Sequence, residues 1–225
     1  MDYNRRSCFT CNQPGATPVQ LVPTNEALIT TIERRDGNML NYDILSEANQ
    51  ILLCSMCESM IERPYQELAI YPTDLEYFIR WELRDQVRRR NRGGKRILPT
   101  AAQYNARGGT YSTAIGVYTS PYKHENPPGR WSGAPMAALH NAFRALGSGL
   151  AGIPASDREK LIDLRDLYYN GKQTFNRIAP RYRTAENDDT FGFGPGDREL
   201  WRKADNTYKK DGPTGNKRTK SALES

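Results

Sequence analysis

The four cysteines are the residues whose types and spacing indicate chemistry most directly in this 225-residue chain. They form two Cys-x-x-Cys pairs, Cys8 with Cys11 and Cys54 with Cys57, and the sequence contains no other cysteine. Two such pairs supply the four thiolates of a tetrahedral structural zinc site, and each pair comes from one tight turn. We therefore predict one Zn²⁺ bound by all four cysteines.

Two disulfides or four free thiols are the alternatives for these cysteines. A disulfide within a single Cys-x-x-Cys turn is strained. The sequence also shows no signal peptide that would send the chain to an oxidising compartment. We therefore expect thiols that are reduced or metal-bound, in a nuclear or cytoplasmic protein.

Two segments beside the cysteines resemble the HNH endonuclease motif, most closely that of fungal HNH-like proteins. Residues 49–57, Asn-Gln-Ile-Leu-Leu-Cys-Ser-Met-Cys, resemble the second half of the motif. Residues 19–23, Val-Gln-Leu-Val-Pro, resemble the strand that carries its first catalytic histidine. The resemblance places Gln20 where the first histidine would stand, Asn49 at the middle asparagine and Glu58 at the final histidine.

These degenerate catalytic positions, Gln20, Asn49 and Glu58, imply a nuclease-type site without its base. In the HNH family the first histidine activates water and the last helps to hold a divalent ion. An amide such as that of Gln20 does not accept a proton at neutral pH. Glu58 could still hold Mg²⁺ or Mn²⁺, because a carboxylate suits a hard cation. We therefore expect that ordinary nuclease activity is absent.

The pattern of apolar residues predicts an α+β chain in three parts. Residues 1–72 should form a small ββα-metal, treble-clef-like zinc module with a short strand near 19–22, a helix at 25–35 and a helix from 56 to 62. Residues 73–170 should form a mainly α-helical extension, and residues 171–225 a mostly disordered basic tail. The segment 97–132, rich in Gly, Tyr and Pro, is predicted to be an irregular connection.

Capping boxes and apolar residues at helical spacing define three helices in the extension. The first begins at Thr73, with Glu76 as its capping partner, and the last two should form an antiparallel hairpin that packs on it. His140 borders an apolar helical face and is expected to be a structural histidine. The predicted helices span 73–92, 134–148 and 156–169.

A concentration of positive charge at the end of the first of these helices is the main candidate binding surface. The whole chain carries a formal net charge of +6. Cations near a helix C-terminus are favoured by the helix dipole, but seven exceed what that effect needs. They predict contact with a phosphate backbone, or else a solvated basic face. The seven are Arg84, Arg88, Arg89, Arg90, Arg92, Lys95 and Arg96.

These observations favour an HNH-like zinc-binding protein that binds nucleic acid without sequence preference. One alternative is an enzyme, nuclease or otherwise, with a rearranged active site that uses Glu58 as its base. Another is a zinc-stabilised scaffold for a protein partner. We expect no membrane partner, because no apolar run is long enough to span a bilayer.

Overall fold

A computed structural model describes residues 6–24, 40–63, 65–116, 129–149 and 152–182, with four further residues at 199, 202, 203 and 206. The predicted helix at 25–35 and the tail beyond 206 lie outside these residues. The chain divides into two units, 1–192 and 193–225. In the second unit Glu199 and Lys203 form an ion pair at 2.8 Å. The elements and sites described below all belong to the first unit.

The cysteine-containing part of the chain is a strand pair followed by a helix. Strand β1 (Thr17–Gln20) pairs with strand β2 (Gln50–Leu53) in antiparallel register, with Gln20 opposite Gln50. Helix α1 (Ser55–Glu62) follows β2 after one residue. Val19, Ile51 and Leu53 are buried, so one face of the pair belongs to the core. The predicted order of strand, strand and helix is present.

A second antiparallel strand pair has one of its strands in the segment that the sequence pattern predicted to be an irregular connection. Strand β3 (Leu68–Pro72) pairs with strand β4 (Tyr111–Ile115), and helix α3 (Ala101–Ala106) precedes β4. The expectation of irregular structure throughout 97–132 is therefore wrong for α3 and β4, which both lie in this segment. All five residues of β3 are buried, so the strand lacks the alternation that marks a half-exposed strand.

Helix α2 (Leu75–Arg92) confirms the predicted first helix of the extension, although its cap differs by one residue. The Asp74 carboxylate accepts a hydrogen bond from the Tyr77 backbone N–H at 3.1 Å. The Thr73 hydroxyl, predicted to be the cap, instead lies 2.8 Å from the Thr110 hydroxyl and joins the segment before β4. A carboxylate at the N-cap suits the positive end of the helix dipole.

Helix α4 (Pro135–Gly147) confirms the second predicted helix and is the central element of the fold. It begins at a proline, which tolerates the first helical position because no partner for its nitrogen is needed there. Asn141 on this helix accepts a hydrogen bond from the Ile70 N–H of β3 at 2.9 Å. Its amide also donates to the Leu21 carbonyl at 3.5 Å. The side chain thus ties the cysteine-containing part to the helical extension.

The last helix, α5 (Ala155–Tyr182), is longer than predicted and reverses direction at Gly171, which is not helical. Arg177 pairs with Asp166 at 2.7 Å, and Arg181 forms a hydrogen-bonded pair with Asp163. In both pairs the aspartate precedes Gly171 and the arginine follows it, and the pair farther from Gly171 on one side is also farther on the other. This pattern requires two helical segments that run antiparallel to each other. Helical structure therefore does not end near the predicted helix end at residue 169; the chain turns at Gly171 into a second helical segment.

The predicted start of disorder at residue 171 is consequently wrong for 171–182. Phe175, Ile178 and Tyr182 are buried and recur at helical spacing, so this segment has an apolar face of its own. The Arg90 guanidinium of α2 lies 4.1 Å from the centre of the Phe175 ring. Among the described residues, no helix has the length and apolar character needed to span a membrane.

Candidate metal centre

The four cysteines meet at one point of the fold. Their sulfur atoms all lie within 4.8 Å of one another, and the Sγ atoms of Cys11 and Cys54 are 3.5 Å apart. All four are free thiols. Sulfurs bound tetrahedrally to a zinc ion at about 2.3 Å would be about 3.8 Å apart. The cluster therefore has the dimensions of a four-thiolate metal site.

The first cysteine pair is shaped by a tight turn. The Cys8 N–H donates to the Gln13 carbonyl at 2.8 Å, and the Asn12 N–H donates to the Cys8 carbonyl at 2.9 Å. Asn12 has a φ of 60°, a left-handed conformation that asparagine tolerates better than most residues. The Phe9 N–H donates to the Leu52 carbonyl of β2 at 2.8 Å, which brings this turn beside the second pair.

The second cysteine pair occupies the N-terminus of α1. Cys54 is the residue before the helix, and Cys57 lies in its first turn. The Cys54 carbonyl accepts the first helical hydrogen bond, from the Glu58 N–H at 2.9 Å. Unpaired N–H groups at a helix N-terminus carry partial positive charge, which stabilises thiolates. The start of this helix therefore brings both sulfurs of the pair into the cluster.

Three thiols of the cluster, those of Cys8, Cys11 and Cys57, have shifted pKa values. The pKa of Cys8 lies well below its usual value, chiefly because the Cys57 S–H donates a hydrogen bond to its sulfur. That same hydrogen bond, together with burial, raises the pKa of Cys57. Burial raises the pKa of Cys11. A divalent cation would remove this competition by neutralising the thiolates, so metal binding must release protons and weaken as the pH falls.

The three predicted catalytic positions, Gln20, Asn49 and Glu58, divide into two groups in space. Gln20 and Glu58 line one pocket of about 600 Å³, and Glu58 is the residue that follows Cys57 of the cysteine cluster. Gln50, Glu62 and Arg144 line it with them. The pocket thus joins the ends of β1 and β2 to α1 and α4. Glu62 and Arg144 were not predicted from the sequence.

Asn49 does not line this pocket and is fully buried. Its Oδ1 accepts from the Val22 N–H at 3.0 Å, and its Nδ2 donates to the carbonyls of Val22 and Ile44 at 2.8 and 2.9 Å. The side chain therefore fastens the chain after β1 to the segment before β2. Its role here is positional, because each of these hydrogen bonds is to the backbone.

His140 lies outside the pocket lining, as expected for a structural histidine. It is buried on α4, and its Nδ1 lies 3.4 Å from the Tyr42 hydroxyl. Burial lowers the pKa of His140 to about 4, so the ring is neutral at physiological pH. The other histidine, His124, lies outside the described residues.

Three of the seven predicted phosphate-binding cations neutralise two fully buried carboxylates. Arg88 and Arg89 pair with Asp85 at 2.7 and 2.6 Å. Arg89 and Arg96 pair with Glu82 at 2.7 and 3.2 Å. Burial of Glu82 raises its pKa to about 7, although both arginines act in the opposite direction. These three arginines therefore have an internal role that the sequence pattern did not reveal.

The other four cations of the cluster differ in exposure. Arg84 is partly buried, whereas Arg90, Arg92 and Lys95 are exposed at the end of α2 and just beyond it. Arg90 stacks on Phe175, which leaves its charge at the surface. The part of the cluster that is exposed to solvent is therefore smaller than the predicted cationic surface, and it consists of Arg90, Arg92 and Lys95.

No protein-family model, no curated protein and no solved structure matches this chain. Its function is therefore inferred from the geometry of the cysteine cluster and of the adjoining pocket.

Proposed function

We propose that the protein is a zinc-stabilised, HNH-like nucleic-acid-binding protein that has lost ordinary nuclease activity. The observation that carries this proposal is that Glu58, which lines the pocket together with Gln20, directly follows Cys57 of the cysteine cluster. Four thiolates select zinc over the hard cations that prefer oxygen ligands. The resemblance to the HNH motif places its first and last catalytic positions at the same two residues.

The chemistry of the pocket supports the loss of hydrolysis. Gln20 offers an amide where the motif needs a base, and no histidine lines the pocket among the described residues. The ionisable groups that line it are Glu58, Glu62 and Arg144. An arginine stays protonated in proteins, so a base would have to be a carboxylate. That requirement defines the second candidate, an enzyme that uses Glu58.

The second candidate gains support from the position of Glu62. It follows Glu58 by one helical turn, so both carboxylates project from the same face of α1. Two carboxylates at a pocket can share a hard cation such as Mg²⁺ or Mn²⁺. In a hydrolytic site of this kind, Glu62 would hold the cation and Glu58 would be left to take up a proton.

Plasmid nicking separates the two candidates. We expect no nicking by the wild-type protein in Mg²⁺ or Mn²⁺, and weak nicking by Gln20→His, because a placed base is worth about 10²- to 10⁴-fold in rate. Gln20→His combined with Glu58→His should exceed either single variant, because it restores a base and a metal ligand together. Robust nicking by the wild type that disappears in Glu58→Ala would replace the first candidate by the second.

Nucleic-acid binding is supported by the net charge of +6 and by the exposed cations at the end of α2. Neutralising Arg90, Arg92 and Lys95 to glutamine should weaken binding of a fluorescent DNA or RNA oligonucleotide. It should also flatten the dependence of log K on log salt by roughly 0.7–0.9 for each phosphate that the variant no longer neutralises. Fluorescence anisotropy over a range of salt concentrations measures both effects.

A matched control removes the same charge elsewhere. Arg158, Lys160 and Arg165 lie on α5 and are not part of the predicted basic cluster, and their replacement by glutamine changes the net charge equally. The proposal expects the control to retain the wild-type salt slope. If wild type shows no binding at low salt, or both triple variants weaken binding alike, the cations at the end of α2 are only a solvated surface.

A further inference from the structure

Arg144 is a partly buried cation that the described structure leaves without a partner. It belongs to α4 and lines the same pocket as Gln20 and Glu58. One of its terminal nitrogens, Nη1, is sealed from solvent and has no hydrogen-bond partner. Burial lowers the pKa of this guanidinium, and no neighbouring carboxylate counteracts that shift. A charge in this position costs free energy unless an anion neutralises it.

The two carboxylates of the pocket do not supply that anion. Glu58 and Glu62 line the same pocket, yet in the described part of the chain no carboxylate lies within ion-pair distance of Arg144. On α2, by contrast, each fully buried carboxylate has two arginine partners. Arg144 therefore stands apart from the internal ion pairs of the fold and faces a cavity large enough for a ligand.

The remaining polar lining suits an oxyanion. Gln20 and Gln50 stand opposite each other in the β1–β2 pair, and both line the pocket. An amide offers N–H donors without competing charge. The planar guanidinium presents paired donors that match the oxygens of a phosphate group. Donors thus come from two sides of the pocket, β1–β2 and α4.

The carboxylates set a condition on such a ligand. Glu58 and Glu62 outnumber Arg144, so the three together give the pocket a net negative charge, which would repel a bare anion. A divalent cation held by the two carboxylates would reverse that sign and bridge to phosphate oxygens, as Mg²⁺ does where it is bound by one or two carboxylates. The phosphate group and the cation should therefore bind together.

We propose that Arg144 makes this pocket a subsite for a phosphate group, with the Gln20 and Gln50 amides as neutral donors. Arg144 acts as an anion-positioning residue contributed by the helical extension, outside the segments that resemble the HNH motif. The inference rests on the proposed function in one respect only: if the protein binds nucleic acid, the phosphate group belongs to a nucleic-acid backbone. A free phosphate compound offers the same chemistry.

Nuclear magnetic resonance on the zinc-loaded full chain tests this subsite with inorganic phosphate as the probe. In the presence of Mg²⁺, phosphate should shift the side-chain amide signals of Gln20 and Gln50 in a saturable manner. Arg144→Gln should weaken this binding by about 10- to 100-fold, the range for a charge-assisted hydrogen bond. Arg144→Lys should retain part of it, because the charge remains but the paired donors do not.

The control is Arg130→Gln, which removes an exposed arginine outside the pocket lining and should bind phosphate as wild type does. The backbone spectrum shows whether each variant keeps its fold. If Arg144→Gln does not fold, the phosphate affinity of Arg144→Lys is compared with that of the wild type instead. An absence of saturable shifts in wild type would overturn the proposal. Equal phosphate affinity in wild type and in a folded Arg144 variant would also overturn it.

A second titration, with a single-stranded oligonucleotide that lacks terminal phosphates, identifies the source. If phosphate binding depends on Arg144 and the oligonucleotide produces the same shifts, the subsite serves a nucleic-acid backbone. If phosphate binding depends on Arg144 but the oligonucleotide does not bind, the subsite stands and the proposed nucleic-acid function falls. If the oligonucleotide binds while phosphate does not, the subsite falls and the proposed function stands.

Discussion

Replacement of Cys57 by serine is expected to abolish zinc binding and to unfold the strand pair and helix that carry the cysteines. Cys57 is buried at the N-terminus of α1, and its sulfur belongs to the four-sulfur cluster. Structural zinc contributes about 10–16 kcal/mol in apparent binding free energy in small zinc-binding peptides. That amount is comparable to the whole stability of an ordinary domain, about 5–15 kcal/mol.

Native mass spectrometry should show one zinc ion per wild-type chain and none bound to Cys57→Ser. Thermal unfolding with and without a chelator should then show a large loss of stability for wild type and little further loss for the variant. Ser59→Ala is the control, since its hydroxyl donates to the Met56 carbonyl at an exposed position of the same helix. Retention of one zinc ion by Cys57→Ser would contradict the four-thiolate site.

Acidification provides a second measurement on the same site. Zinc requires four thiolates, so protons compete with the metal. The pKa of Cys57 is raised in the metal-free cluster, which makes this thiol readily protonated. Zinc release should therefore increase as the pH falls, and a fluorescent zinc indicator would record it. An affinity independent of pH would contradict thiolate ligation.

The cysteine cluster could be predicted from sequence because its information is local. Each pair needs only a two-residue spacer and a tight turn, and the second pair is followed directly by a helix. The pairing of β1 with β2 agrees with closing the intervening chain at the cysteine cluster. The identity of the residues that share a pocket with Gln20 and Glu58 does not follow, because Arg144 comes from a helix distant in sequence.

Helix α5 shows why its end could not be predicted in the same way. Asn170-Gly171 is a valid signal for the end of a helix, and the chain does leave the helical conformation at Gly171. A local stop signal does not show whether the next residues continue as a second helix. Here Arg177 and Arg181 face Asp166 and Asp163, and these pairs exist only after the chain has folded back.

The basic cluster on α2 is only partly interpretable from sequence for a related reason. A run of arginines shows the amount of charge but not the partners. Among the residues that recur at helical spacing from Leu75 to Leu83, Glu82 is the one charged residue, and that exception is the available signal. A carboxylate on a buried face needs cations, and Arg89 and Arg96 provide them. From the sequence alone, Arg89 and Arg96 could not be removed from the predicted set of phosphate-binding residues.

Replacement of Asp85 by alanine is expected to destabilise the protein by about 3–5 kcal/mol, the range for breaking a buried ion pair by removing one partner. Asp85 is fully buried and accepts hydrogen bonds from Arg88 at 2.9 and 2.7 Å and from Arg89 at 2.6 Å. The Arg88 side chain is only 8% exposed, so its charge cannot turn to solvent without local rearrangement. Arg88 also donates to the carbonyls of Gly93 and Lys95, so the chain after α2 should loosen as well.

Asp166→Ala is the matched control, because its partner Arg177 is 54% exposed and water can replace the lost pair. The expected cost there is below about 1 kcal/mol. Chemical denaturation of the zinc-loaded protein measures both variants. Equal destabilisation by the two substitutions would show that burial does not set the strength of the Asp85 network.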